Sequence, residues 1–416
     1  MIKTVLVILT SISVIPLLSA EEATPLNQTL TPGSTTMITC FAKKKEKIKS
    51  GGGKGTDEDP SKADWKKAYH YRLYIPQNYD KNPKKHFPCM FIADPGGNAK
   101  MQNMEERLKK EQWIVVMLVE SKNNTTEWLV NFIAAHDDVI KRVRLIESCK
   151  FATGFSGGAR CLSEYPLYRK GFKGLLLQSA GFFDDYQYEK YPSSTVIAAT
   201  FGVTDFNFYE SQELRRELNS KVPRHIEFFN GGHSWAPKAA FEHSMNFLED
   251  TICIKTKKAS KQMKDMFVWF IDLNLEKLES AETNLDKYIL IKKILSIATN
   301  GKLLSDKRYK TKLASLKNQL AELRKDKDVF NEFKAEIAFK KVQSKIKIFD
   351  KQMLRNKAVY KKISMSKKDK TSLKAMKKEM TNFIKQYNGQ RIAANLQDEL
   401  DSLEKEYSKI EMSSKH

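Results

Sequence analysis

Three residue types, far apart along this 416-residue chain, have the contexts needed to make an alcohol reactive. The first is Ser156, in the stretch FATGFSGGAR from Phe151 to Arg160, where Gly154, Ser156 and Gly158 form a G-x-S-x-G pattern. An apolar run, Phe151 to Thr153, precedes it and a helix-compatible segment, Ala159 to Tyr168, follows. Strand, very tight turn and helix form the setting that holds a serine hydroxyl on strained backbone above a helix N-terminus, where negative charge is favoured. A serine hydroxyl is a poor nucleophile near neutral pH. It needs a base within hydrogen-bond reach, and the base needs an orienting acid.

The base expected is His233, in NGGHSW, which follows the last apolar run and lies in a glycine-rich loop. The other histidines have weaker contexts: His70 and His225 fall in predicted strands, His136 and His243 in predicted helices, His86 in a basic loop and His416 at the terminus. The acid expected is Asp205, in FGVTDFNF, just past an apolar strand. Asp184 and Asp185, after the preceding strand, are its rivals, and Thr-Asp-Phe-Asn also has good turn chemistry. An acyl-transfer centre further needs two backbone N–H groups aimed at the developing oxyanion. Gly157, directly after the serine, is one. Gly96 or Gly97, in the DPGGN loop from Asp94 to Asn98, is the other, unless that loop is a plain β-turn.

These residues need a scaffold, and the sequence between Trp65 and Ile252 supplies one. Strands are predicted at His70 to Pro76, Phe87 to Ala93, Trp113 to Val119, Phe151 to Thr153, Gly174 to Gln178, Val196 to Val203 and Arg224 to Phe229. Helices fit at Met104 to Lys110, Trp128 to Leu145, Glu210 to Ser220 and Pro237 to Ile252. Continuous apolar strands alternating with helices mean a mainly parallel sheet covered on both faces. The fold class expected is therefore α/β.

The rest of the chain differs in kind. From residue 251 onward there are 39 Lys and Arg against 21 Asp and Glu, so +18 of the net charge of +22 lies there. After Pro237 there is no proline, and beyond residue 250 only Gly301 and Gly389 interrupt, which permits long helices. Leu313, Leu316, Leu320 and Leu323, and again Leu396, Leu400, Leu403 and Tyr407, make short heptad-like stripes that fit a coiled coil or an antiparallel bundle. Lys361, Lys362, Lys367, Lys368 and Lys370 are the densest basic cluster. It reads either as a solvated or self-associating helical face or as a grip on an anionic surface. No aromatic–basic interleaving points to nucleic acid.

Met1 to Ala20 reads as a secretory signal peptide, with Lys3, an apolar core from Val5 to Leu18 and a small-residue exit at Ser19-Ala20; an uncleaved anchor is the alternative. The location expected is secreted or periplasmic. Residues 21–63, rich in Thr, Ser, Lys and Gly, are expected to be a flexible tether. The division expected is thus 1–20, 21–63, 64–253 and 254–416. In an exported chain some of the five cysteines can oxidise, although Cys89 and Cys149 lie at or beside apolar strands and read as buried thiols. No cysteine or histidine spacing calls for a metal, and no cofactor is implied.

In order, FIADPGG, TGFSGGAR, LLLQSAGF, FGVTDFNFYES and NGGHSW resemble the secreted esterase branch of the α/β-hydrolase superfamily. The stretch from about 65 to 252 is similar to dienelactone-hydrolase and polyhydroxybutyrate-depolymerase-like esterases. The resemblance implies Ser156 as nucleophile, Asp205 as acid, His233 as base, and hydrolysis of a small or polymer-linked ester without a cofactor. The DPGG loop departs from the His-Gly loops of many such esterases. A peptidase or thioesterase on the same residues, or a non-catalytic binding or scaffold protein, are the competing expectations.

Overall fold

The computed structural model describes residues 22–47, 59–183, 191–218, 221–255, 263–355, 367–394, 396–398, 400–401 and 403–404. The expected signal segment, Asp184, Asp185, Lys361, Lys362 and Tyr407 lie outside the described residues.

Eight strands form one sheet: β1 (Thr35–Phe41), β2 (Ala68–Tyr74), β3 (Phe87–Ala93), β4 (Ile114–Leu118), β5 (Leu145–Phe155), β6 (Phe172–Gln178), β7 (Val196–Gly202) and β8 (Arg224–Phe229). Their order is β1-β2-β4-β3-β5-β6-β7-β8. The pairs β1–β2 and β2–β4 are antiparallel, and every other pair is parallel. β3, β4 and β7 are buried along their whole length, which is why they read as unbroken apolar runs.

Successive side chains point to opposite faces of a strand. Phe91, Val116, Ala152, Leu175 and Leu177 therefore join one core cluster, with α2 (Trp128–Arg142) and α3 (Gly157–Tyr168) packed on it. Ile92, Val115, Met117, Phe151 and Leu176 join another. α1 (Glu105–Lys110) and α5 (Lys238–Lys255) cover that second face, whereas the short α4 (Glu210–Glu217) contributes Leu214 to the first.

Two expectations are corrected here. The segment expected to be a tether contains β1, whose Ile38 and Cys40 are buried against β2. An edge strand needs apolar residues only at alternate positions, and this one has just enough amid threonines. Nor is there a break in packing at 253/254. The helices α6 (Lys264–Glu279), α7 (Asn284–Asn300) and α8 (Lys310–Leu323) share the second-face core with the sheet. Trp113, at the start of β4, packs edge-on against Phe151 at 5.0 Å and against Trp269 of α6 at 5.3 Å. A buried ion network crosses the same junction: Arg107 reaches Glu249 at 2.8 Å, Glu242 at 2.5 Å and Glu111 at 3.3 Å, and Lys277 of α6 reaches Glu111 at 2.7 Å. Each of these buried charges has a partner, as burial requires.

α9 (Lys327–Arg355), α10 (Lys367–Gln386) and the last described stretch enclose a third cluster, with Leu373, Met376, Met380 and Phe383 inside and Lys367 and Lys370 exposed. Of the two leucine stripes, Leu313 and Leu316 are buried in the second-face core, and Leu396, Leu400 and Leu403 in the third cluster. Both stripes are thus packed within this chain. Among the described residues no helix is long and apolar enough to cross a membrane. All five cysteines are buried and free, and burial pushes the Cys89 and Cys149 thiols up.

β5 carries the G-x-S-x-G stretch, and its buried polar anchor is Lys150. The Lys150 ammonium donates to His136 Nε2 at 2.8 Å, and the His136 Nδ1–H donates to Asp137 at 3.0 Å. Burial pushes the His136 imidazole down to about 4. An unfolded chain takes up that proton near pH 6.5, so stability falls as pH drops from about 6.5 to about 4. Urea unfolding at both ends of this window should show the loss. A His136→Gln variant, which keeps an acceptor for Lys150 but cannot titrate, should show a smaller one, by up to about 3 kcal/mol. Separately, Trp269→Ala should lower the stability of the whole protein by about 3–5 kcal/mol in one cooperative transition; an unshifted midpoint would mean that the sheet does not depend on α6.

Candidate active site

Ser156 joins β5 to α3 with φ 51° and ψ −124°, a backbone state that serine adopts only under constraint. Its N–H donates to the Gln178 carbonyl at 2.8 Å, and its own carbonyl accepts from Arg160 N–H at 3.2 Å, opening the helix. The turn is tight enough to exclude side chains nearby. A Cβ on Gly158 would lie 2.5 Å from the Ala93 carbonyl oxygen and 2.8 Å from the Asp94 nitrogen. A Cβ on Gly157 would collide with the Asn123 amide.

The sequence-predicted acid and base meet this serine. His233 Nε2 lies 2.7 Å from Ser156 Oγ, and His233 Nδ1 lies 2.9 Å from Asp205 Oδ1. The Asp205 side chain is fully buried, while that of His233 keeps 19% of its surface open to solvent. Asp205 Oδ1 also accepts from Asn207 N–H at 2.8 Å. Its Oδ2 is buried with no hydrogen-bond partner among the described residues. Asp205 follows β7 and His233 follows β8, so the parallel sheet brings both to the edge where β5 ends.

The histidine loop is pinned on both sides. Before it, Gly231 O accepts from Thr204 N–H at 2.9 Å and from its hydroxyl at 2.8 Å. After it, Ser179 Oγ donates to Ser234 O at 2.9 Å and Ala236 N–H donates to Gln178 Oε1 at 3.1 Å. The Arg160–Glu210 ion pair braces the far side, where Glu210 Oε2 also accepts from Gly181 N–H at 2.6 Å.

Gly157 is the first residue of α3, where backbone N–H groups lack intrahelical partners. Gly96 and Gly97 are placed differently from expectation. The Gly96 N–H donates to Asp94 Oδ1 at 2.9 Å and the Gly97 N–H to the Asp94 carbonyl at 2.9 Å. The DPGG loop is thus a turn that uses both donors on its own aspartate. It still abuts the elbow, through Asp94 beside Gly158.

Sequence reasoning missed several neighbours. The Asn123 side chain lies against Gly157, its Oδ1 buried with no hydrogen-bond partner among the described residues, while the Asn123 backbone N–H donates to the Pro95 carbonyl at 3.0 Å. Nothing in the SKNNTT loop marks this residue. The imidazole of His233 is flanked by Phe206, ring centroids 4.0 Å apart, and Phe155, at 4.7 Å, with Trp235 5.7 Å beyond Phe155. Each of the three aromatics adjoins, or lies two residues from, a predicted site residue, which was the only available signal.

Chemically, the arrangement gives a hydroxyl a proton acceptor and gives that acceptor an orienting carboxylate. Since backbone on the β3 side hems in Gly158, a Gly158→Ala substitution should displace the start of α3. The expected result is about 1–3 kcal/mol lost in thermal or urea unfolding. Labelling of Ser156 by a serine-directed phosphonate should also slow by about a hundredfold, as reacting groups shift by about 1 Å.

No protein-family profile matches the sequence, and no curated protein matches it. Solved structures similar to the chain include a ferulic acid esterase, 13% identical with a TM-score of 0.37, over 51% of this chain and 96% of that one. Est1E from Butyrivibrio proteoclasticus is also 13% identical, with a TM-score of 0.34, over 44% of this chain and 92% of that one. The dipeptidyl peptidase 4 of Porphyromonas gingivalis is 13% identical, with a TM-score of 0.35, over 44% of this chain and 34% of that one.

Proposed function

We propose that the chain is a serine hydrolase of the α/β-hydrolase type that cleaves carboxylic esters through an acyl-enzyme. One observation carries this reading: the unbroken hydrogen-bonded path from Ser156 Oγ through His233 to the buried Asp205 carboxylate, at 2.7 and 2.9 Å.

In this reading His233 Nε2 takes the Ser156 proton as Oγ attacks the ester carbonyl. Asp205 holds the imidazole in the tautomer with hydrogen on Nδ1. The fully buried carboxylate then stabilises the imidazolium that forms in the transition state. The Gly157 N–H, at the positive end of α3, faces the tetrahedral oxyanion, and such a donor is typically worth about 3–4 kcal/mol. His233 then protonates the leaving alcohol, and water releases the acyl group by the same route. The Met1 to Ala20 segment supports a further proposal, that the enzyme acts after export.

A fluorophosphonate probe should label wild-type protein and leave Ser156→Ala unlabelled. Turnover of p-nitrophenyl esters should fall by about 10⁶-fold in Ser156→Ala. It should fall by about 10⁴-fold in Asp205→Asn, which favours the wrong tautomer. Folded wild type that resists the probe would instead favour a scaffold role, and faster cleavage of peptide anilides than of esters would favour a peptidase.

A further inference from the structure

Phe206 is 73% exposed, the highest exposure among the large hydrophobic side chains described, and it belongs to none of the core clusters. Its ring lies against the imidazole of His233, centroids 4.0 Å apart and planes tilted by 34°. By contrast, Phe330, the other exposed phenylalanine among the described residues, is covered by the Lys334 ammonium at 4.3 Å. Exposure of a single ring is ordinary, but this one lies against the imidazole, within reach of a group bound at Ser156, where an apolar surface can be covered by a ligand.

Resting on the hydrolase reading above, we propose that Phe206 forms the subsite for the alcohol part of the ester, and that this alcohol carries an aryl or similarly flat apolar group. The reaction sets the side. As the Ser156 Oγ–acyl bond forms, the bond from the acyl carbon to the alcohol oxygen breaks, and the proton taken from Ser156 passes from His233 Nε2 to that oxygen. The leaving oxygen must therefore lie within hydrogen-bond distance of Nε2, roughly 3 Å. The carbons attached to it extend past the edge of the imidazole, where Phe206 lies on one face. A flat group there covers the exposed ring in an offset or edge-on stack. Phe155 and Trp235, the other rings near the imidazole, are half-buried, so Phe206 offers the exposed aromatic surface there.

The test compares two esters of equally acidic alcohols, 2-phenylethyl acetate and ethyl acetate, and two acids, methyl 3-phenylpropanoate and methyl propanoate. Wild type should show kcat/KM about tenfold or more higher for 2-phenylethyl than for ethyl acetate, a typical size for an apolar subsite. Phe206→Ala should reduce that ratio about tenfold, Phe206→Trp should preserve it, and the acyl series should show no such change. An equal loss on both acetates would mean that Phe206 only positions the imidazole, and a change confined to the acyl series would place it on the other side; either result overturns the proposal. Wild type that a fluorophosphonate does not label at Ser156 ends the hydrolase reading and this one with it. Labelled protein with unaltered ratios ends this one alone.

Discussion

Everything in the site depends on holding one serine in a backbone conformation it does not choose. A non-glycine residue at positive φ outside the ordinary minima costs of order 1–3 kcal/mol and persists only where its surroundings over-determine it. At Ser156 they do. β5 is locked between β3 and β6, and the serine N–H is held by the Gln178 carbonyl of β6. α3 starts at once and has no room to slide, because Gly158 lies against the backbone at the end of β3. Gln178 serves twice: its backbone holds the serine, while its side chain bridges Thr153 on β5 and Ala236 beyond the histidine loop. Ser156 and the loop carrying His233 are thus registered to each other through one buried residue.

Asp205 and His233 reach the serine by topology. In a parallel sheet every strand delivers its C-terminal end to the same edge, so residues 49 and 77 positions beyond Ser156 arrive there without long excursions. Fine placement then falls to short loops whose ends are tied to strands, as Thr204 and Ser179 tie the segment carrying His233. The aromatic rings of Phe155 and Phe206 against the imidazole add a second kind of restraint, packing where hydrogen bonds alone would leave the ring free to tilt.

The sequence made some of this legible and hid the rest for identifiable reasons. Phe87–Ala93 and Arg224–Phe229 are strands with the predicted bounds; the first is buried on both faces and leaves an unmistakable apolar run, whereas the second is half-buried and is marked by its closing Phe228 and Phe229. Ser156, Asp205 and His233 were readable because each follows a predicted strand. β5 is longer than predicted, since its first half, Leu145 to Lys150, carries the polar residues Glu147, Ser148 and Lys150 and continues a helical period. β1 was masked by surrounding low-complexity sequence. For the Gly96 and Gly97 amides the sequence left two outcomes open, an oxyanion donor or a plain β-turn. A Pro-Gly-Gly loop offers donors, but only coordinates show that Asp94 has already taken them. The position of Asn123 depends likewise on a contact between loops that no spacing encodes.

The shared second-face core has a bearing on how this protein is made. When synthesis has reached only Cys253, Phe151 and Trp113 still await Trp269, and the ledge of the sheet beneath the strand bearing Ser156 has no backing there. The growing polypeptide therefore holds Ser156, Asp205 and His233 well before it holds the helices that back this core. The core closes only once α6 to α8 are complete, and a product terminated at Cys253 carries the G-x-S-x-G stretch on a sheet with one face partly bare.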